Sequence, residues 1–143
     1  MDCIFCQIVA GESPAHIVAE DERTIAFMDI DPLVRGHVLV VPRSHARDLW
    51  EMAVEDGDAL MRATRRIAGA VHRAFRPDGV NLFHATGEAA GQTVFHVHLH
   101  VVPRWFGDAF RPPLVPERGL DPDLATPAAE IRAALGEETH PNG

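Results

Sequence analysis

Thr93-Val94-Phe95-His96-Val97-His98-Leu99-His100-Val101-Val102, closed by Pro103, is the stretch on which the reading of this chain turns. Apolar residues alternate with histidine, which is the two-residue period of an extended strand. The spacing predicts a strand over 93–102, with Val97, Leu99 and Val101 on a core face and His96, His98 and His100 on the other. Such a row of imidazoles has three readings: a polar solvent face, one zinc site, or phosphoryl-transfer chemistry. The row is unbroken and histidine is uncommon, which disfavours the first. In a straight strand His96 and His100 lie about 13 Å apart at about 3.3 Å per residue. Zinc wants its ligand nitrogens at about 2.0–2.1 Å, so all three cannot converge on one ion. A His-x-His pair with ligands from elsewhere stays open. An imidazole is also a nucleophile near neutral pH, and attack on phosphorus needs donors for the phosphoryl oxygens.

The residues just before this strand suit that third reading. Gly87-Glu88-Ala89-Ala90-Gly91-Gln92-Thr93 is a loop whose glycines let backbone N–H groups approach an anion, with a hydroxyl at Thr93. Further upstream, 80–85 reads as another strand. Leu60, Thr64, Ile67, Val71 and Phe75 form one face of a long helix over 55–75. Glu55, Asp56 and Asp58 stand near its start, Arg73 and Arg76 near its end, and Pro77-Asp78-Gly79 stops it. The β-branched run 37–41 follows Gly36 and ends at Pro42. Two apolar runs, 17–19 and 24–29, flank the acidic turn Glu20-Asp21-Glu22 and suggest a hairpin. A short helix is expected over 3–10. The fold class is therefore α+β: a mainly antiparallel sheet of about five strands, one short N-terminal helix and one long helix. This domain is expected over 1–107. Seven of the 11 prolines lie at or beyond Pro103, so 108–143 reads as a Pro-rich tail with one short helix at 127–135.

Bulk properties narrow the function classes. The chain has 143 residues and 46% apolar content, enough for one domain with a core of its own. A net charge of −8 argues against broad binding to DNA or RNA, which needs clustered cations. No basic leader opens the sequence and no window is apolar enough for a membrane span. A cytoplasmic protein without nucleic-acid or membrane partners is expected. Cys3 and Cys6, the only cysteines, form C-x-x-C, which is a redox pair, a zinc half-site or two buried thiols.

Gly91-Gln92-Thr93-Val94-Phe95-His96-Val97-His98-Leu99-His100-Val101-Val102-Pro103-Arg104 resembles the signature of the histidine triad (HIT) nucleotide hydrolases and transferases. Cys3-Ile4-Phe5-Cys6, Ala26-Phe27-Met28-Asp29-Ile30 and Gly36-His37-Val38-Leu39-Val40-Val41-Pro42-Arg43-Ser44-His45 resemble the bacterial branch in order and spacing, so the likeness covers about residues 3–107. The resemblance implies a nucleotide hydrolase acting on phosphoramidates or dinucleoside polyphosphates. His98 is then the nucleophile that forms a nucleotidyl-histidine, and water releases the nucleoside monophosphate. His100 serves the phosphate or leaving group, and His37 is a fourth histidine beside the site. Gly91, Gln92 and Thr93 hold phosphate. Asp29 accepts ribose hydroxyls, and Phe5, Ile8, Phe27 and Ile30 wall the base. Those four are equally readable as plain core, and Asp29 as a turn former. The resemblance further implies structural zinc on Cys3, Cys6, His45 and His96, and a homodimer paired through its sheets.

One position departs from the family pattern. Where an Asn or Gln is common, two residues before Gly87, this chain has Ala85, flanked by His84 and Thr86 as substitutes. This keeps a second class in view, a nucleotide-binding regulatory module with weak chemistry, beside transferase or phosphorylase variants of the first. His16, His72, His84 and His140 read as surface residues, and Trp50 and Trp105 as packing or interface residues.

Overall fold

The computed structural model describes residues 2–108 and 123–137. Most of the expected Pro-rich tail, with His140, lies outside them. The described elements are α1 (Ile4–Val9), β1 (Ile17–Glu20), β2 (Thr24–Met28), β3 (Val38–Pro42), α2 (Val54–Phe75), β4 (Gly79–Phe83), β5 (Leu99–Arg104) and α3 (Ala125–Gly136), with one turn of 3-10 helix at Glu88–Ala90. The strands form one antiparallel sheet in the order β1-β2-β3-β5-β4.

Alternation along the strands divides the apolar residues between the two faces. Ala26, Met28, Val38, Val40, Val97 and Val101 pack against Leu60, Ile67 and Val71 of α2 and Ile131 of α3. Ile25, Phe27, Leu39 and Val41 point the other way and take up Phe5 and Ile8 of α1. The long helices therefore cover one face, while the six-residue α1 covers only part of the opposite one. The uncovered remainder of that second face is where the histidines emerge.

The strand expected over 93–102 begins later than its pattern suggests, and it is not closed by Pro103: β5 runs through that residue, which lies opposite Val80, to Arg104. Pairing with β3 stops at Val40 opposite Leu99. Two positions further along β3 stands Pro42, which has no N–H to donate. Its carbonyl is taken instead by the His96 ring, at 2.8 Å, and the Val97 amide turns to the Ala46 carbonyl at 2.9 Å. Residues 96–98 thus leave the ladder but keep the alternating facing: Val97 enters the α2-side core, while Phe5 of α1 meets the rings of His96 and His98. The other expected elements shift by only a residue or two at either end, β4 among them, which ends at Phe83 rather than 85.

The helix expected at 127–135 runs from Ala125 to Gly136 and joins the main core. Pro127, Ala128, Ile131 and Ala134 are its buried side chains. Arg73 of α2 donates to the Ala134 carbonyl at 3.2 Å, satisfying an acceptor at the helix end. Ile131 is 0% exposed. Ile131→Ala is expected to cost about 2–5 kcal/mol, the range for emptying a closed core site, read as a drop in urea midpoint with unchanged m-value. An unchanged midpoint would show that α3 contributes nothing to the folded domain.

Candidate active site and metal centre

Two clusters of side chains occupy the α1 side of the sheet. In the first, the β2–β3 register continues one step past Met28 opposite Val38, so that Asp29 faces His37 and its amide donates to the His37 carbonyl at 3.1 Å. Gly36 precedes His37 at φ +93°, and a Cβ there would sit 2.7 Å from the Phe75 ring. Glycine is what admits this close turn. The His37 ring is buried. The Leu33 amide donates to its Nδ1 at 3.0 Å, which leaves the proton of the neutral ring on Nε2. That Nε2–H donates to Nδ1 of His100 at 2.9 Å. The second ring is thereby held with its own proton on Nε2.

His98 is fixed by the opposite arrangement. Its Nδ1–H donates to the His96 carbonyl at 2.7 Å, so the Nε2 lone pair is free. The His98 and His100 rings lie 4.9 Å apart between centroids, and the Phe5 ring stands edge-on to His98 at 5.2 Å. Burial lowers all of these imidazoles below the usual range: His98 in direction, His100 to about 4 and His37 to about 3. At neutral pH this cluster presents one bare nitrogen, on His98, beside one N–H donor, on His100.

Asp29 carries two contacts. Oδ1 accepts from the Asp31 amide at 2.9 Å, a turn-forming bond, and Oδ2 lies 3.5 Å from His37 Nε2. Burial pushes its carboxyl up to about 6. Asp29, His37 and His100 bring ligand atoms within 4.8 Å of one another. A metal there is opposed by the Leu33 amide, which commits His37 Nε2 to carrying a proton.

These shifts fix a pH dependence. Between about 6.5 and 3 the unfolded chain protonates His37 while the folded protein does not, so stability falls as pH drops through that window. His100 acts in the same direction down to about 4. Asp29 acts oppositely between about 4 and 6, where the folded state holds the extra proton. Two imidazoles outweigh one carboxyl, so acidification destabilises. In His37→Gln the slope of unfolding free energy against pH near pH 5 should shrink by about 1.4 kcal/mol per pH unit, one proton's worth, measured by urea unfolding across pH. A slope equal to the wild type's would refute the neutral buried state of His37.

The second cluster joins Cys3, Cys6, His45 and His96, whose ligand atoms lie within 4.8 Å of one another. Cys3 caps α1, and Cys6 follows one turn later on the same side. Cys3 Sγ is 3.4 Å and His45 Nδ1 3.2 Å from His96 Nδ1, and Cys6 Sγ is 3.4 Å from His45 Nδ1. His96 is 0% exposed, and its Nε2–H is committed to the Pro42 carbonyl, so the nitrogen turned to the thiols is the one with the lone pair. Burial and then the Cys3 thiol push the Cys6 thiol up to about 11, so a cation is what would favour the paired thiolates here. Two sulfurs and two imidazole nitrogens fit a tetrahedral zinc.

The loop residues take more varied positions. Gln92 is buried: its amide donates to the Arg47 and Val94 carbonyls and its oxygen accepts from the Gly87 amide at 2.8 Å. Its side chain thus folds the loop, and Gly91 and Thr93 stand exposed beside it. Phe5, Ile8 and Phe27 are buried in the α1-side core, whereas Ile30 is 70% exposed after Asp29. Trp50, expected in packing or an interface, is 81% exposed among the described residues.

His84 is not the surface residue expected from sequence. It is half-buried, with Nδ1–H donating to the His98 carbonyl at 3.1 Å and Nε2 accepting from the Thr86 hydroxyl at 2.6 Å. The departure at Ala85, with two polar neighbours, was the signal for it.

A five-stranded antiparallel sheet carrying histidines on one partly covered face, beside a Cys2His2 donor set, defines a small histidine-triad protein. Residues 10–107 match the model of the HIT domain, and the chain belongs to that family. It is 43% identical over 110 residues to Protein hit of Bacillus subtilis, covering 76% of each chain. A crystal structure of a Zn-bound histidine triad family protein from Mycobacterium smegmatis superposes with a TM-score of 0.84 at 41% identity, covering 95% of this chain and 94% of that one. Adenylylsulfatase HINT3 of Arabidopsis thaliana is 38% identical over 103 residues, 72% of this chain and 52% of that protein. The family thus includes hydrolases and zinc-bearing members. No helix among the described residues is long and apolar enough to cross a membrane.

Proposed function

We propose that this protein hydrolyses nucleoside phosphoramidates or dinucleoside polyphosphates through a nucleotidyl-histidine intermediate. The observation that carries the reading is the tautomer of His98, whose Nδ1–H is spent on a backbone carbonyl and whose Nε2 is bare. That lone pair attacks the α-phosphorus: the N–P bond forms as the bond to the leaving group breaks. His100 donates its Nε2–H to the departing group or to a phosphoryl oxygen, and His37 holds His100 in the tautomer that can do so. Water then attacks phosphorus, the N–P bond breaks, and a nucleoside monophosphate leaves. Of Gly91, Gln92 and Thr93 in the phosphate loop, exposed Thr93 supplies the donor, while the Gly91 and Gln92 amides, bonded to the Glu88 and Gly87 carbonyls, hold the loop in shape. Asp29 takes the ribose hydroxyls, and Ile30 with Phe5, Ile8 and Phe27 forms the base wall.

Cys3, Cys6, His45 and His96 hold zinc in this reading. The ion supplies no chemistry to the reaction but ties α1 to the segment that carries His98. The nucleotide is the small-molecule partner, and a second copy pairs along the exposed edge of the sheet, in a cytoplasmic homodimer.

The test is turnover of adenosine phosphoramidate, adenylyl-lysine and diadenosine polyphosphates, with quenched reactions searched for labelled nucleoside monophosphate on His98. Label on His98 and release of the monophosphate are expected. Binding of nucleotide without turnover of any substrate would leave the regulatory-module reading, which Ala85 favours.

A further inference from the structure

The β4–β5 register ends at Phe83 opposite His100, so continuing it would bring the Ala85 amide to the carbonyl of His98. The ladder does not continue. The His84 ring fills that place, and a side-chain N–H does what a backbone N–H would have done. The ring is itself oriented. Its Nδ1–H on the carbonyl leaves Nε2 as an acceptor, which receives the Thr86 hydroxyl, and that oxygen accepts the Leu49 amide at 3.0 Å. One polar chain therefore runs from the Leu49 amide through Thr86 and His84 to the backbone of His98.

On the other side of the same segment, the Val97 amide is held by the Ala46 carbonyl. The residues that leave the ladder, 96–98, are fixed by these substitutes for strand pairing. We propose that His84, oriented by Thr86, is a positioning residue that sets the backbone at His98 and so the aim of its Nε2. This deepens the proposed reaction and rests on His98 being its nucleophile. Near-attack geometry is steep in its demands: displacement by about 1 Å costs on the order of a hundredfold in rate.

His84→Ala, His84→Gln and Thr86→Val in the full chain test the proposal. Assays well below each variant's unfolding midpoint separate kcat from KM on adenosine phosphoramidate, and long-range proton–nitrogen spectra report the tautomers of the imidazoles. His84→Ala is expected to lower kcat by about tenfold or more with KM within about twofold, and to turn the single Nδ1–H tautomer of His98 into a mixture. His84→Gln keeps an N–H for the carbonyl and an oxygen for Thr86, and should recover kcat to within about threefold. Thr86→Val should fall between the two. Equal losses in the Ala and Gln variants would mean packing rather than positioning and would overturn the proposal, as would wild-type kcat in His84→Ala. Should the wild type turn over none of the substrates, the proposed reaction fails, and the His98 tautomer in His84→Ala alone decides on His84. An unchanged tautomer then rejects it.

Discussion

Replacing His98 with alanine should lower kcat by on the order of four powers of ten, about 5.5 kcal/mol of transition-state free energy, with nucleotide affinity within a few-fold of wild type. The size follows from the division of labour at the site. Of the three rings at this site, His37, His98 and His100, only His98 offers an unprotonated nitrogen with no donor on it, because its Nδ1–H is committed to the His96 carbonyl. No neighbour can take its place: His100 has its Nδ1 occupied by the His37 donor and presents a proton, not a lone pair. Removing the nucleophile leaves only binding and the loop donors, which on their own give modest acceleration. His100→Ala should cost less, because water or the loop can serve a phosphoryl oxygen. Steady-state turnover of both variants, with direct titration of a nucleoside monophosphate, checks the ranking. Turnover by His98→Ala within tenfold of wild type would remove the covalent mechanism.

Stripping metal should produce a change in stability as large as emptying a core site. If zinc occupies the Cys3, Cys6, His45 and His96 site at a free concentration about a thousand times its dissociation constant, it adds about 4 kcal/mol to the folded state. For a domain of this size that corresponds to a fall in Tm on the order of 10 °C on chelation. The loss should begin at α1. That helix has only six residues, and besides Phe5 and Ile8 the metal is what would hold it to the sheet. Cys6→Ser should reproduce the chelated Tm and become insensitive to chelator. Metal analysis of untagged protein should find one zinc per chain. A wild-type Tm unmoved by chelation, or zinc well below one per chain, would reject the structural-zinc reading.

Part of this was open to inspection in the sequence. Alternation in 93–102 carries the facing of every residue from Val97 to Val101, because strand facing depends only on local backbone geometry. The α2 face was legible for a similar reason, since Leu60, Thr64, Ile67 and Val71 recur at the helical period and are all buried. The end of a ladder is a different matter. Whether 96–98 pair depends on what lies opposite, and Pro42 is more than fifty residues away in the chain. The role of His84 was hidden likewise: a lone histidine at the end of a strand has no periodicity to betray it, and its partner is a carbonyl rather than a side chain. The helix at Ala125–Gly136 was visible as a helix but not as core, because attachment to Arg73 and Ile17 is a long-range fact.

By itself, then, the sequence determined the sheet-and-helix composition, the family signature, and the grouping of histidines on one side of a strand, all of which follow from short-range periods and motif spacing. Only the tertiary structure decided the proton on each ring. Leu33 sets His37, His37 sets His100, the His96 carbonyl sets His98, and Pro42 sets His96. Imidazole chemistry depends on which nitrogen is bare; for His100 and His96 that choice is made by groups 63 and 54 residues away, and for His37 and His98 by local backbone groups that the folded chain turns onto the ring. The same three histidines that form one row in the sequence are divided by those partners into a bare nitrogen, a proton donor and a member of the Cys2His2 cluster.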